Sequence, residues 1–410
     1  MDIFLAPLIR GIGINVSGES RVVVPGEVRA APSQALQVDL SAVWGEHFDE
    51  AGAAKLFQES YTAWEFDMAP AGVEAATAHR KKQPTCVAVK RGETLEAVYW
   101  IDEDIDKAEK RRLSQDATPQ ERGASQAPAL SALRRHQVVK NKIALVTGGA
   151  QGFGAEIVRG LASSGAAVFI ADRNEEGARR LAEEINREEK RTAAIPAAVD
   201  VSDEDSVVSL FKTLARRTGG LDICISSAGI VQAGSVLDQD LASFNQVTAV
   251  NYTGFFIMAK QCARLLRRQH WTAPEWKTDI IQINSKSGLE GSNKNGAYAG
   301  GKFGSIGLAA SFALELISYN IKVNAVCPGN FFDGPLWSDP EKGLFAQYLK
   351  TGKVPGARTP GDVRAFYEAK IPMRRGCTGL DVMRTLYYII EQEYETGQAV
   401  PVTGGQIMLH

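Results

Sequence analysis

From Asn141 onward, short β-branched runs alternate with amphipathic stretches of helical length, and this alternation constrains the fold more than any other feature of the chain. The runs are Ile143 to Thr147, Val168 to Ala171, Ala197 to Val201, Ile223 to Ser226, Ile280 to Asn284, Val323 to Val326 and Ala399 to Thr403. Helical spacing falls between them, at Gln151 to Ser164, Asn174 to Glu189, Ser202 to Thr218, Leu241 to Arg268 and Tyr298 to Ser318. Strands separated by helices cannot pair as hairpins; they pair in parallel through crossovers. The pattern predicts a Rossmann-like, doubly wound α/β domain with a parallel sheet of seven strands over residues 140–410.

The chain has 410 residues, enough for two or three domains. Residues 1–105 carry weaker signals: strands at Arg21 to Val24 and Thr85 to Val89, and a helix at Ala51 to Trp64. They read as a small α/β or α+β module with no chemical motif, its Trp44, Trp64 and Trp100 expected in the core. Residues 106–139 mix charge runs with Pro, Ser, Gln and Ala and read as a solvated helix end and a linker. Arg267 to Asp279, with two Trp and a Pro, reads as a long surface loop.

Composition closes off other classes. Lys plus Arg number 46 against 48 Asp plus Glu, so no polycationic field points to nucleic acid. Five Cys (Cys86, Cys224, Cys262, Cys327, Cys377) are far apart and odd in number, which argues against a disulfide framework and fits a reducing compartment. Neither the Cys nor the five His have metal-ligand spacing, so no metal is expected. No apolar run reaches the ~18 residues needed to span a bilayer, and the N-terminus lacks a basic signal region; the chain is expected in the cytoplasm, without a membrane partner.

The first strand runs into Thr147-Gly148-Gly149-Ala150-Gln151-Gly152-Phe153-Gly154, where a helix begins. A turn that holds a pyrophosphate must present bare backbone amides at a helix N-terminus, and glycines at 148, 152 and 154 clear that approach. Asp172 ends the second strand, 18 residues past Gly154, placed to accept hydrogen bonds from an adenosine ribose. Its charge would repel a 2′-phosphate, so NAD is the expected cofactor, with Arg173 beside it as the opposing charge.

A second constellation is Ser285, Tyr298 and Lys302. Tyr298 and Lys302 are four residues apart at the start of a helix and so share a face. A free Tyr titrates near 10, too high for a neutral-pH base; a nearby ammonium is expected to lower it. Ser285 follows a strand, at the carboxyl edge where open α/β sheets place ligands.

Together these features resemble the short-chain dehydrogenase/reductase family over roughly residues 139–410. Its cofactor turn T-G-x-x-x-G-x-G matches Thr147 to Gly154, its Ser matches Ser285, and its Y-x-x-x-K matches Tyr298 and Lys302. Asn251 matches the helix Asn that supports a proton-relay water, Asp200-Val201 the pair that contacts adenine, and Pro328-Gly329 the turn after strand six. The resemblance implies a catalytic set of Asn251, Ser285, Tyr298 and Lys302. It also implies cofactor contacts from Thr147, Gly148, Gln151, Gly152, Phe153, Gly154, Asp172, Asp200, Val201, Ala228, Gly229, Tyr298, Lys302, Pro328 and Gly329, and a homodimer or homotetramer. Two positions depart from the family: N-N-A-G reads Ser226-Ser227-Ala228-Gly229, and the Thr four residues past the P-G glycine is Asp333.

Within the family, the segments Ile280 to Gly288, Lys302 to Gly304, Pro372 to Cys377 and Val402 to Gln406 resemble members that act on a sugar-alcohol phosphate. Lys286 stands where an apolar residue is usual, with Lys294 nearby, and a cation beside the catalytic Ser suits a substrate phosphate. Residues 330–375 are long for a connection and are expected to form a substrate-covering lobe, with Arg374 and Arg375 as further phosphate candidates.

Overall fold

The computed structural model describes residues 2–17, 19–26, 32, 34–43, 49–67, 82–91, 93–115, 120–121, 135–341, 343–350 and 352–408. Of the expectations above, Trp44, the Trp64 side chain and most of 116–134 lie outside them.

The N-terminal third folds as α1 (Asp2–Ser17), β1 (Val22–Pro25), β2 (Leu36–Asp39), α2 (Glu50–Asp67), β3 (Lys82–Gln83), β4 (Cys86–Arg91), β5 (Thr94–Asp102), α3 (Ile105–Ser114) and β6 (Gln120–Glu121). Among the described residues it forms a four-stranded sheet in the order β1-β5-β4-β2 and a short β3-β6 pair. Val23, Val38, Val87, Tyr99 and Ile101 pack from that sheet onto α1 and α2. Its other face, with Val22, Val24, Ala88 and Trp100, joins a hydrophobic core that continues into the second part of the molecule. Trp100 is buried, as expected.

That second part runs β7 (Ile143–Thr147), α4 (Gly152–Ser163), β8 (Ala167–Asp172), α5 (Glu175–Glu189), β9 (Ala194–Ala198), α6 (Glu204–Thr218), β10 (Ile223–Ser226), α7 (Leu241–Thr248), α8 (Gly254–His270), β11 (Thr278–Ile283), α9 (Gly296–Leu316), β12 (Ile321–Pro328), α10 (Pro335–Ser338), α11 (Leu344–Lys350), α12 (Pro360–Ala369), α13 (Gly379–Glu391) and β13 (Ala399–Val402). Among the described residues the sheet has seven strands in the order β13-β12-β11-β10-β7-β8-β9, and each neighbouring pair is parallel. Helices α4, α5 and α13 cover one face with Ile157, Leu181 and Leu386. On the other face α6, α8 and α9 contribute Phe211, Met258 and Ala313. This is the doubly wound fold that the alternation predicts. Strand order reverses between β7 and β10, and such a switch point opens a ligand crevice at the carboxyl ends of the strands.

Three local expectations change. β9 begins at Ala194 rather than Ala197 and contains Pro196; it is an edge strand, where a missing N–H is tolerated. The expected helix Leu241 to Arg268 is split by a π-helical turn, Ala249–Thr253. The expected surface loop after Arg267 is instead an internal bracket. Thr272 and Ala273 are buried, the Thr272 hydroxyl donates to the Leu8 carbonyl at 2.7 Å, and Trp276 Nε1 donates to Asp222 Oδ1 at 2.9 Å.

The bracket helps dock α1 at the amino end of the large sheet. Arg10 is fully buried and pairs with Asp222 at 2.8 Å, where β10 begins. Its remaining donors reach Ser20 Oγ, Gln269 Oε1 and the Arg21 carbonyl. Burial tends to raise the Asp222 pKa, but Arg10, Lys142, the Ile143 N–H and Ser20 outweigh it and hold the carboxyl below its usual value.

Residues 330–375 form α10 to α12 around a small aromatic core. Trp337 is its centre, 5.0 Å from Phe332, 5.1 Å from Phe345 and 5.1 Å from Tyr367, ring centroid to centroid. Among the described residues no helix is long and apolar enough to cross a membrane, and no cluster of His, Cys, Asp or Glu could hold a metal.

Candidate active site

The Gly-rich turn leaves β7 at Thr147. The buried Thr147 hydroxyl accepts the Ser227 and Ala228 amides at 3.0 and 3.1 Å, tying the ends of β7 and β10 together. The Ser226–Gly229 turn therefore keeps its place through backbone amides, without the Asn side chains usual there. Gly148 has φ +63°, and a Cβ on it would lie 2.8 Å from the Ala228 Cα. A Cβ on Gly154 would lie 2.0 Å from the Gly148 carbonyl oxygen. Gly152, at φ +57°, faces open space. Two glycines are thus required by packing and one leaves the helix N-terminus uncovered, so the turn fits a dinucleotide pyrophosphate. Gln151 precedes α4 without using its side chain as a cap, and Phe153 stacks on Phe331 at 4.5 Å.

At the end of β8, Asp172 accepts the Ala150 amide (3.0 Å) and the Asn174 amide (2.9 Å), one on each carboxylate oxygen. The carboxylate is fixed beside the Gly-rich turn. Arg173 reaches Asp200 at 3.6 Å, so its charge is directed toward another acid. Asp200 also accepts the Ser202 amide and hydroxyl, and these bonds, the hydroxyl foremost, hold its pKa down. Val201 beside it is buried. Gly329 is held by its amide to the Val402 carbonyl at 2.9 Å, placing Pro328-Gly329 at the same sheet edge.

The four expected catalytic residues converge on this edge. Asn251 lies in the π-helical turn and grips Ile230 on both sides: Oδ1 accepts its amide at 2.9 Å and Nδ2 donates to its carbonyl at 2.8 Å. Lys302 is buried, its Nζ donating to the Ile283 carbonyl at 2.9 Å. That ammonium lies 5.7 Å from the Tyr298 ring centroid. The Ser285 hydroxyl accepts the Ser287 amide at 3.1 Å and hydrogen-bonds Tyr298.

Sequence reasoning did not single out Asn284. Its Nδ2 donates to Gln282 Oε1 and the Lys302 carbonyl, both at 2.9 Å, and its Oδ1 accepts the Ser285 amide at 2.8 Å. It is a positioning residue that locks the Ser285 strand end to the Lys302 helix. No motif marks it; the only signal is a polar residue at the end of an apolar strand.

The electrostatics correct one expectation. Tyr298 stays above its ordinary value: burial of the hydroxyl raises it, and the Ser285 hydrogen bond offsets only part. Burial also lowers Lys302 to about 8, so its cationic form is itself disfavoured here. The protein alone does not bring the phenol into the neutral range. Cys327, at the end of β12, is pushed up to about 12 by burial and stays a thiol.

Of the expected phosphate ligands, Lys286 is half-buried directly after Ser285, and Lys294 is exposed on the following loop. Arg374 donates to the Ala369 carbonyl, and Arg375 is bidentate to Asp381 at 2.6 and 3.0 Å, which commits that guanidinium elsewhere. Asp333, in place of the usual Thr, pairs with Arg364 at 2.8 Å and so ties the start of the lobe to α12.

This geometry has close counterparts. The short chain dehydrogenase family profile matches residues 142–337. Sorbitol-6-phosphate 2-dehydrogenase of Escherichia coli K12 is 36% identical over 270 residues, covering 65% of this chain and 99% of that protein.

The chain belongs to the short-chain dehydrogenase/reductase family.

As a member it is an oxidoreductase whose family binds nicotinamide cofactors and acts on a CH–OH group. Trans-4-hydroxycyclohexanecarboxylate dehydrogenase of Sinomonas cyclohexanicum is 31% identical, over 65% of this chain and 93% of that one. The crystal structure of sorbitol-6-phosphate 2-dehydrogenase from Erwinia amylovora superposes with a TM-score of 0.60 at 36% identity, over 65% of this chain and all of that one. An actinorhodin polyketide ketoreductase variant solved with NADPH gives a TM-score of 0.55 at 28% identity, over 65% of this chain and 97% of that one.

Proposed function

We propose that the chain is an NAD-dependent dehydrogenase that interconverts sorbitol 6-phosphate and fructose 6-phosphate. The observation that carries this reading is the half-buried Lys286 directly beside Ser285, a cation next to the reacting oxygen that an unphosphorylated polyol does not need. The similarity to two sorbitol-6-phosphate 2-dehydrogenases supports it.

The Gly-rich turn would hold the pyrophosphate and Asp172 the adenosine ribose, with Arg173 turned to Asp200 rather than to a 2′-phosphate. When bound, the nicotinamide supplies the hydride acceptor or donor. In oxidation Tyr298 takes the proton of the substrate hydroxyl at C2, while Ser285 holds the oxygen as it becomes a carbonyl. Lys302 would hold the nicotinamide ribose and place positive charge near the phenol; Asn251 would connect the site to solvent through water.

Exposed Phe256, Phe303 and Leu314 on α8 and α9, with Ile317 just past the end of α9, support assembly as a homodimer or homotetramer through these helices. The free, buried cysteines suit a reducing cytoplasm.

A polyol panel with and without 6-phosphate, followed by NADH absorbance, tests the substrate. Turnover of sorbitol 6-phosphate is expected, with NAD at least about tenfold more efficient than NADP and the gap narrowed in Asp172→Ser, since a carboxylate–phosphate repulsion is removed. Preference for an unphosphorylated polyol would replace the reading with that of another polyol dehydrogenase.

A further inference from the structure

The lobe carries further cations. Lys353 Nζ sits 3.9 Å over the Tyr348 ring, and Lys370 Nζ sits 4.1 Å over Phe366 and 5.4 Å over Tyr367. Ring faces attract an ammonium on one side and leave its other N–H bonds free. The lobe is fastened near the cofactor turn by the Phe331–Phe153 stack, and the stretch after Lys370 by the Met373 amide to the Gly404 carbonyl at 3.2 Å.

We infer that Lys286 and Lys294 from the catalytic sheet edge and Lys353 and Lys370 from the lobe form one cradle for the phosphate monoester of the substrate. This rests on the reading of a phosphorylated polyol and extends it by giving the lobe half of the anion site.

The four charges form a chain of neighbours: Tyr348 and Tyr367, the rings under Lys353 and Lys370, lie 5.6 Å apart, Lys370 acts on Lys286, and Lys294 acts on Lys353. Burial lowers Lys286, Lys370 lowers it further, and Glu290 opposes this. Partial burial, then Lys294 and Lys370, lower Lys353. Nearby acids of the lobe serve other residues: Arg364 takes Glu368 of α12 and Asp333 at the start of the lobe. Among the described residues Lys353 and Lys370 have aromatic rings, not carboxylates, as their partners. Four like charges, with Glu290 as the opposing charge near Lys286, are unfavourable until an anion joins them. A phosphate monoester brings nearly two negative charges and three acceptor oxygens. Ammonium groups match it as point charges that need no fixed fork. A carboxylate, with one charge, would leave most of the cluster uncompensated.

The test uses the full chain with Lys353→Met and Lys370→Met, which keep the aliphatic stem over the rings, each checked for fold by circular dichroism and melting. Each is expected to raise the ratio of KM for sorbitol 6-phosphate to KM for sorbitol about tenfold, the value of one charge-assisted contact. Binding of fructose 6-phosphate by isothermal titration should weaken in parallel. Turnover of sorbitol 6-phosphate by the unmodified chain with that ratio unmoved overturns the cradle and leaves the proposed reaction standing. Failure of the reaction, with fructose 6-phosphate still bound by the unmodified chain and lost in both variants, overturns the reaction and supports the cradle. Failure of both turnover and binding overturns both. Efficient turnover of trans-4-hydroxycyclohexanecarboxylate, equally sensitive to the two lysines, would assign the cluster to a carboxylate and overturn the phosphate.

Discussion

Tyr298 must lose a proton to act as a base, and its surroundings set when it does. Burial raises its pKa, while the Ser285 hydroxyl offsets part of that. Oxidation should therefore accelerate as pH rises through the alkaline range, because a raised pKa moves the active phenolate form upward. Tyr298→Phe keeps the ring and its packing but removes the proton acceptor. Turnover should fall by about 10²–10⁴ and the alkaline rise should vanish, while NADH binding by fluorescence titration persists. Retention of more than about a tenth of wild-type turnover would unseat Tyr298 as the base. At this scale the site was legible where the chemistry is written in local spacing: Ser285, Tyr298, Lys302 and the glycines of the turn sit where their motifs put them. Asn284 was not legible, because its role depends on three groups brought together by β11 and α9. Lys353 and Lys370 lie in a stretch rich in Lys and Arg, but nothing in local spacing sets them apart from the other cations of the lobe.

Elements follow periodicity where one face is buried and the other is wet. Helices α4, α5, α6, α8 and α13 over the large sheet obey this, whereas α9 also exposes Phe303 and Leu314; the strands of that sheet, buried on both faces, read instead as short apolar runs between helices. Helix α1 does not follow periodicity, because Leu5, Ala6, Leu8, Ile9, Arg10 and Ile12 are all buried; a helix enclosed on all sides has no polar stripe to read. Strand β5 hides likewise, its last six residues being buried on both faces. The break between α7 and α8 is the most consequential element that periodicity misses. A π-helical turn inserts one residue into the helical register, a device common at functional sites, and here it carries Asn251. Its carboxamide satisfies both backbone groups of Ile230, just past the Ser226–Gly229 turn. Asn251→Ala leaves that amide and carbonyl without these partners, at a cost of about 1–3 kcal/mol for each group left buried and unpaired. The melting temperature should fall, and kcat should fall with it even at temperatures where the variant is fully folded. Loss of stability with undiminished kcat would restrict Asn251 to a structural role.

Across the whole molecule, the two ends of the large sheet do different work. The candidate cofactor and catalytic residues gather at the carboxyl ends of β7, β8, β11 and β12, whereas α1 docks at the amino end through Arg10 and Asp222. Strands of five residues separate these ends by about 17 Å, so the docking of α1 stands away from the candidate site. The relatives from Escherichia coli and Erwinia amylovora are matched almost end to end by two thirds of this chain, so the module lies beyond the part they share. In this chain it shares a core with the catalytic part, and the buried Arg10–Asp222 pair crosses the contact. Arg10→Met would leave Asp222 buried against Ser20, Ile143 and Trp276 without its guanidinium. Breaking such a pair costs about 3–5 kcal/mol, so the melting temperature should drop sharply while kcat, measured well below the transition, stays near wild type. The sign of the pH dependence is fixed by the charge. In wild type the Asp222 pKa is depressed, so its stabilisation is present above the unfolded value of about 3.9 and is lost as pH falls. In the variant, burial without Arg10 pushes the carboxyl the other way, and the folded state regains stability as protonation removes the charge. The gap between the two melting temperatures should therefore narrow on acidification, and Asp222→Asn added to Arg10→Met should recover part of the loss at neutral pH. A gap independent of pH, with no recovery in the double variant, would mean that the packing of Arg10, rather than its charge, holds the module in place.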